Sequence, residues 1–457
     1  MKKFSFFFLL FLFSVQIFAA QGRSPFPDKI DYVNIIGRDC TAYFNAAAPD
    51  FFLRQAADNL NYPLFRWTSD KQTDARYPGY SNSPELSLFG VKVVEMIVRF
   101  KEDMLDEIYT VFYSRGDTKT PLSKYEFEKL RKTIGGKLKE YTGDPGKERN
   151  GSLTKYDRLT SWIFVKENQF SFELKSSIRK KDGRESGEYI HLLIRRFDRD
   201  NDPRMKSLTR SGTTARKITL RENIRQDKNG DVWLDNIPMV DQGMKGYCVP
   251  AVMERVLRYY GNEQVTQHTL AQIAETEAAK GTSVDFMVGV VQRTGKKFGI
   301  RLSSLYQRVG EGDDLEKLVK DYNKAARRMK EPEIRVVTQK QGRVTYLMVG
   351  ETLDQMKPEV EAGLWKSRKG EYNRFLKTIR ENIDKGIPVV WSVQLGKFPE
   401  EKLDRQSSGG HMRLISGYNE KEKTVIYTDT WGGGHEKKTM SADQAWTITT
   451  AYFTLKP

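Results

Sequence analysis

Between Asp198 and Gly230 the chain has few large apolar residues, while basic ones crowd in: Arg199, Arg204, Lys206, Arg210, Arg216, Lys217, Arg221, Arg225 and Lys228. Such a stretch buries too little apolar surface to offset the entropy of ordering it. It therefore reads as a basic linker or an extended crossing segment. The 457 residues are long enough for two ordinary domains. One spans residues 31–197 and the other 231–457.

The first unit reads as α+β. Val91 to Lys101 and Glu107 to Ser114 are rich in Val, Ile, Phe and Tyr and predict strands. Ser123 to Tyr141 has helical spacing through Tyr125, Phe127, Leu130, Ile134 and Leu138, with Ser123 as N-cap. Trp162 to Val165, Phe170 to Ile178 and Tyr189 to Phe197 alternate as an antiparallel set, with turns at Lys166-Glu167-Asn168 and Asp182-Gly183. A sheet with a helix on one face is the expected packing. No cluster of catalytic residue types occurs here, and His191 is expected to be structural.

The chain start reads as an address. Lys2 and Lys3 precede an almost wholly apolar run from Phe4 to Phe18, and Ala19-Ala20 offers small residues for cleavage. Residues 1–20 thus have the pattern of a signal peptide, too short for a comfortable membrane span. An exported, periplasmic or extracellular protein is expected, with no membrane span in the mature chain. The net charge of +16 is spread along the chain beside acids, without a compact basic arm, so nucleic acid is not an expected partner. Cys40 and Cys248 are the two thiols and could pair in an oxidising compartment. Separate fates are expected, with Cys40 buried and Cys248 free.

In the second unit Val249 to Tyr260 places Val249, Val252, Met253, Val256, Leu257 and Tyr260 on one helical face, and Gly261 stops it. Further helices are expected at Thr266 to Ala279, Ser283 to Thr294, Leu315 to Arg328 and Tyr372 to Lys385, the last ended by Gly386. The period then changes to strands at Pro388 to Leu395, His411 to Tyr418, Thr424 to Thr428 and Ala451 to Leu455. A helical part followed by an antiparallel sheet is again an α+β order.

The stretch Gln242-Gly243-Met244-Lys245-Gly246-Tyr247-Cys248-Val249-Pro250-Ala251 carries the chemistry. It sets a thiol at a helix start, where unpaired N–H groups and a partial positive charge favour thiolate. Pro250 costs no hydrogen bond in the first turn. His411, flanked by Gly409 and Gly410, is the candidate base, and Asp429, ending the next strand of the hairpin, is its orienting acceptor. Gln242, six positions before the cysteine (248 − 242), can donate its amide N–H to an oxyanion, together with the backbone N–H of Cys248. Cys248, His411 and His435 lack short ligand spacing, so no metal or other cofactor is expected. His435 is expected to be a mobile surface residue, and His268 is expected on the surface near a helix start.

Gln242 to Ala251, Gly410-His411 and Asp429-Thr430-Trp431-Gly432 together resemble papain-like cysteine peptidases, closest to the branch that processes bacteriocins after double-glycine leaders. The resemblance covers residues 231–457. It implies a papain-like domain with oxyanion-hole Gln242, nucleophile Cys248, general base His411, orienting Asp429, and Trp431 covering the His–acid pair. The implied partner is a peptide or protein substrate. Two other readings use the same residues: transglutaminase-like or amidase acyl transfer, and a non-enzymatic binding protein on the same scaffold. The first unit could present substrate, act as a pro-region or bind a partner. The sequence does not fix the oligomeric state.

Overall fold

The computed structural model describes residues 29–31 and 65–457, apart from 79–82, 84, 103, 119, 153, 182, 206–219, 277–280, 283, 310–313, 343, 367 and 401–405. The signal-peptide reading of residues 1–20 and the expected burial of Cys40 lie outside the described residues.

Apolar alternation in the first unit builds an eight-stranded sheet. Its order is Arg66–Trp67, Asp74–Tyr77, Glu95–Lys101, Met104–Ser114, Arg184–Arg196, Phe170–Lys181, Asp157–Lys166, Lys147–Gly151, with antiparallel neighbours throughout. The strand expected over Val91 to Lys101 is broken. Phe89 and Gly90 both take positive φ (57° and 70°), so Val91–Lys92 folds back on Glu85–Leu88, and Glu95–Lys101 alone joins the large sheet. Glu167 and Asn168 likewise take φ of 53° and 54° and close the hairpin between Asp157–Lys166 and Phe170–Lys181.

Helix Lys124–Thr142 covers one face of this sheet, burying Phe127, Ile134 and Leu138 with Phe164, Phe172 and Ile190. Ser123 caps it: its side chain accepts from the Glu126 N–H, and the Glu126 carboxylate accepts from the Ser123 N–H at 2.8 Å. Ser123→Ala should lower stability by about 1 kcal/mol through loss of this reciprocal cap. Chemical denaturation measures it; an unchanged midpoint would show that this helix end contributes nothing to folding.

The second unit holds another largely antiparallel sheet, in the order Ile224–Gln226, Asp231–Leu234, Gly409–Asn419, Val389–Leu395, Thr449–Lys456, Arg301–Gln307. Thr424–Thr428 pairs with Gly409–Asn419 and with Lys438–Ser441. The end of the basic stretch therefore belongs to this sheet, because Ile224 pairs with Leu234 and supplies the apolar residue that anchors it. Leu220, in the same stretch, packs against the end of helix Lys369–Ile383. There Gly386 has φ 76°, and a Cβ would lie 2.4 Å from the Leu220 carbonyl oxygen.

Strand alternation gives the sheet two apolar faces. Val390, Met412, Leu414, Phe453 and Leu455 pack with Val249, Val252, Val256 and Leu257 of helix Cys248–Tyr259. Trp391, Val393, Ile415 and Tyr427 pack with Phe375 and Trp446 in a separate cluster. The helix expected over Thr266 to Ala279 runs only from Gln267 to Ile273, capped by Thr266, and Ala274 ends it. No described helix is long and apolar enough to cross a membrane.

The face of the first sheet opposite its helix meets the second unit through Leu159 and Tyr189, which join the apolar cluster of Val249 and Val252, and through polar groups. Arg99 bridges Asp74 (3.2 Å) and Glu254 (3.4 Å), and Arg258 reaches Asp74 at 3.0 Å. Tyr109 donates to or accepts from His191 Nδ1 at 2.6 Å and lies 3.2 Å from Thr266 Oγ1.

Candidate active site

Cys248 is the first residue of helix Cys248–Tyr259, and no side chain caps that end, so the N–H groups of the first turn have no capping partner from a side chain. It is a free thiol and half-buried. Burial alone would push the thiol up. The neighbouring His411 outweighs burial and holds it below its ordinary value.

The Gly409–Asn419 and Thr424–Thr428 strands form the hairpin that brings base and acid together, with Leu414 opposite Thr428. Asp429 follows directly, and its Oδ1 lies 3.0 Å from His411 Nε2, both side chains fully buried. With Nε2 engaged by Asp429, Nδ1 is the nitrogen left for Cys248. Nδ1 makes no well-aligned hydrogen bond. Burial pushes His411 down, but Asp429 and then Cys248 raise it above the ordinary imidazole value. Trp431 stacks on the imidazole, with ring centroids 4.4 Å apart and planes at 18°.

Asp429 has more partners than sequence reasoning supplied. Arg413 Nε donates to the same Oδ1 at 2.7 Å, and Lys438 Nζ to Oδ2 at 3.1 Å. Burial would raise this carboxyl, but Arg413, then His411 and Lys438, hold it far below the carboxylate range. Arg413 is itself balanced by Glu400 at 2.8 Å. The signal for Arg413 was available: it sits two residues past His411, on the same face of one strand. Lys438 had none, because it arrives from the Lys438–Ser441 strand beyond a loop.

Gln242 is fixed on three sides. Its N–H donates to the Thr430 carbonyl at 2.9 Å, Thr430 Oγ1 donates to its Oε1 at 2.5 Å, and its Nε2 donates to the Lys245 carbonyl at 2.9 Å. Arg255, buried in the nucleophile helix, donates to the Asp429 carbonyl at 2.6 Å and to Thr428 Oγ1 at 2.8 Å. One guanidinium thus ties the cysteine's helix to the end of the His–Asp hairpin. The structure brings Gln242 and Asp429 onto neighbouring stretches of chain around Thr430, with His411 between Asp429 and the thiol.

Two histidines differ from expectation. His435 is buried, not a mobile surface residue: its carbonyl accepts from the Asp429 N–H at 3.1 Å, and its ring meets Trp431 edge-on. His268 is buried, not on the surface, because the first sheet covers it: its Nε2 lies 3.3 Å from Glu95. His191 is buried in its strand, stacked on Tyr189. Among the described residues Glu95, Asp117 and His268 lie close enough to share a metal ion. A cation is already supplied there by Lys245, whose Nζ lies 3.0 Å from Glu95 and 2.9 Å from Asp117.

Residues 320–452 match the family model described as Peptidase_C39 like family. The matched stretch contains His411 and Asp429, spans less than a third of the chain, and begins after Gln242 and Cys248. It supports a peptidase of the C39-like cysteine type. No curated protein matches the chain.

Proposed function

We propose that this chain is an exported cysteine peptidase, with residues 231–457 forming a papain-like catalytic unit. The observation that carries the reading is His411, buried between the half-buried Cys248 and Asp429, with Nε2 on the carboxylate. The 320–452 family match supports it from the base and acid side.

In the reaction, His411 takes the Cys248 proton and the thiolate sulfur forms a bond to the peptide carbonyl carbon. The carbonyl π pair moves to oxygen, where the Gln242 amide and the Cys248 backbone N–H stabilise the charge. The C–N bond then breaks as His411 returns its proton to the leaving amine. Water adds to the thioester, His411 accepts its proton, and the carboxylic acid leaves as the thiol reforms. Asp429 holds the imidazole in the tautomer and orientation these transfers need. Peptides with a Gly-Gly pair before the scissile bond are the first substrates to try, given the resemblance of residues 242–251, 410–411 and 429–432.

The pH profile tests the pair. The Cys248 thiol is held down, so the acid limb of kcat/KM should lie below the ordinary thiol pKa of about 8.5. His411 is held up, so the alkaline limb, where the leaving amine loses its proton donor, should lie above about 6.5. Rapid iodoacetamide labelling of Cys248 near neutral pH should accompany this bell. Labelling that rises only above pH about 8.5, with no hydrolysis of any peptide, would sink the reading. A product in which an added amine replaces water would redirect it to transglutaminase-like transfer.

A further inference from the structure

The sheet of the first unit reaches the loop that precedes the nucleophile. Lys245 lies in that loop with its side chain only 9 % exposed, and both carboxylates that hold its ammonium, Glu95 and Asp117, belong to the first unit. Glu95 is further fixed by Arg76 Nε at 3.1 Å. Burial would raise the Glu95 carboxyl, but Lys245, Arg76 and His268 keep it ionised. An ammonium is not stable in a dry contact without such partners, so the first sheet is what allows Lys245 to be buried.

The same lysine holds the oxyanion donor. Its carbonyl accepts from Gln242 Nε2 at 2.9 Å and from the Tyr247 N–H at 2.8 Å. Since a carboxamide nitrogen carries two protons, one N–H of Gln242 goes to Lys245 and the second is left for an incoming oxygen. Tyr247, the residue before the nucleophile, is gripped as well. Its hydroxyl lies 3.3 Å from Ser114 Oγ, and a Cβ on Gly116 would fall 1.9 Å from that hydroxyl. Glycine at 116 is therefore what lets the first sheet close on Tyr247.

We propose that the first unit is a working part of the acyl-transfer site: Glu95 and Asp117 position Lys245, and Lys245 positions the Gln242 amide beside Cys248. The proposal rests on the reading of Cys248 as an acyl-transfer nucleophile. It sets the first unit apart from a pro-region that blocks the thiol until removed. Lys245 is a positioning residue, since its effect on the reacting carbonyl passes through Gln242.

Two reactions of the full-length chain separate this role from general support of the fold. Iodoacetamide alkylates sulfur by displacing iodide at a saturated carbon and forms no oxyanion. A peptide thioester acylates it through a tetrahedral oxyanion and expels a thiolate. Lys245→Met should slow acylation about 10²–10³-fold, as loss of an oxyanion donor does, and leave alkylation within about twofold. Gln242→Ala should show the same split, and Lys245→Arg should recover part of the acylation rate. Asp117→Asn keeps shape and lysine alike, and should show a smaller split even if Lys245→Met fails to fold. Unchanged acylation in folded Lys245→Met or Asp117→Asn overturns the proposal, as does an equal fall in both reactions. A wild-type chain that is alkylated at Cys248 but never acylated removes the parent reading instead.

Discussion

Cys248→Ala should abolish peptide hydrolysis, lowering kcat/KM by at least about three orders of magnitude, with little change in melting temperature. Cys248 is half-buried at a helix start and alanine removes only its Sγ atom, so little space is left unfilled, and the helix keeps Val252, Val256 and Leu257 in the core. No other thiol is described near the site, and a hydroxyl or water in its place is a far weaker nucleophile at neutral pH. His411→Ala should match the loss in rate and also lose stability, because the stacked face of Trp431 is left without its partner. Hydrolysis at the wild-type rate by Cys248→Ala would leave the chain with no thiol chemistry. It would favour a binding role on the same scaffold.

The second large effect is expected at Asp429, where Ala and Asn separate orientation from charge. Asp429→Ala removes the acceptor on His411 Nε2 and the shared counter-charge of buried Arg413 and Lys438. A buried ion stripped of its partner typically costs about 3–5 kcal/mol. The residual Glu400 contact at 2.8 Å places Arg413 at the lower end of that range. The rate should fall about 10²–10⁴-fold as the imidazole loses its fixed tautomer. Asp429→Asn retains an oxygen for Nε2 and should keep more of the rate, but its neutral amide no longer raises His411, so the alkaline limb moves to lower pH. The Asp429 carboxyl is held below its unfolded value. Its contribution to folding is therefore fully present above about pH 4 and is lost as pH falls toward the folded value. The alanine variant should differ most from wild type at neutral pH and least in strong acid. Stability and rate both unchanged in Asp429→Ala would show that another group orients the base.

Local patterns made much of this architecture legible. The 3.6-residue spacing from Val249 to Tyr260 predicts the nucleophile helix, and the two apolar runs around Tyr418 predict the hairpin that sets His411 by Asp429. What stayed hidden depends on contacts between residues far apart in the chain. Lys245 looks like any solvated loop lysine until Glu95, 150 positions away, is folded against it. His268 reads as a surface residue because it sits near a helix start, yet the opposing sheet buries it. The basic stretch hides Ile224–Gln226 and Leu220 because three or four anchoring residues suffice to fix a chain crossing. Arg255 escaped notice because a cationic residue on a buried helical face contradicts the apolar stripe, and the Asp429 and Pro238 carbonyls with Thr428 Oγ1 explain it.

The match between Lys245 and the two carboxylates of the first sheet limits how the two halves can be recombined. A catalytic half transplanted behind a different sheet would present a buried ammonium with no anion facing it. A first unit joined to a different partner would present Glu95 with Arg76 alone and Asp117 without the lysine it faces. The halves are thus not interchangeable modules but a lock and key built into one polypeptide. Heritable change at positions 76, 95, 117 and 245 is expected to proceed in concert, since any one of them altered alone strands a charge at the shared boundary.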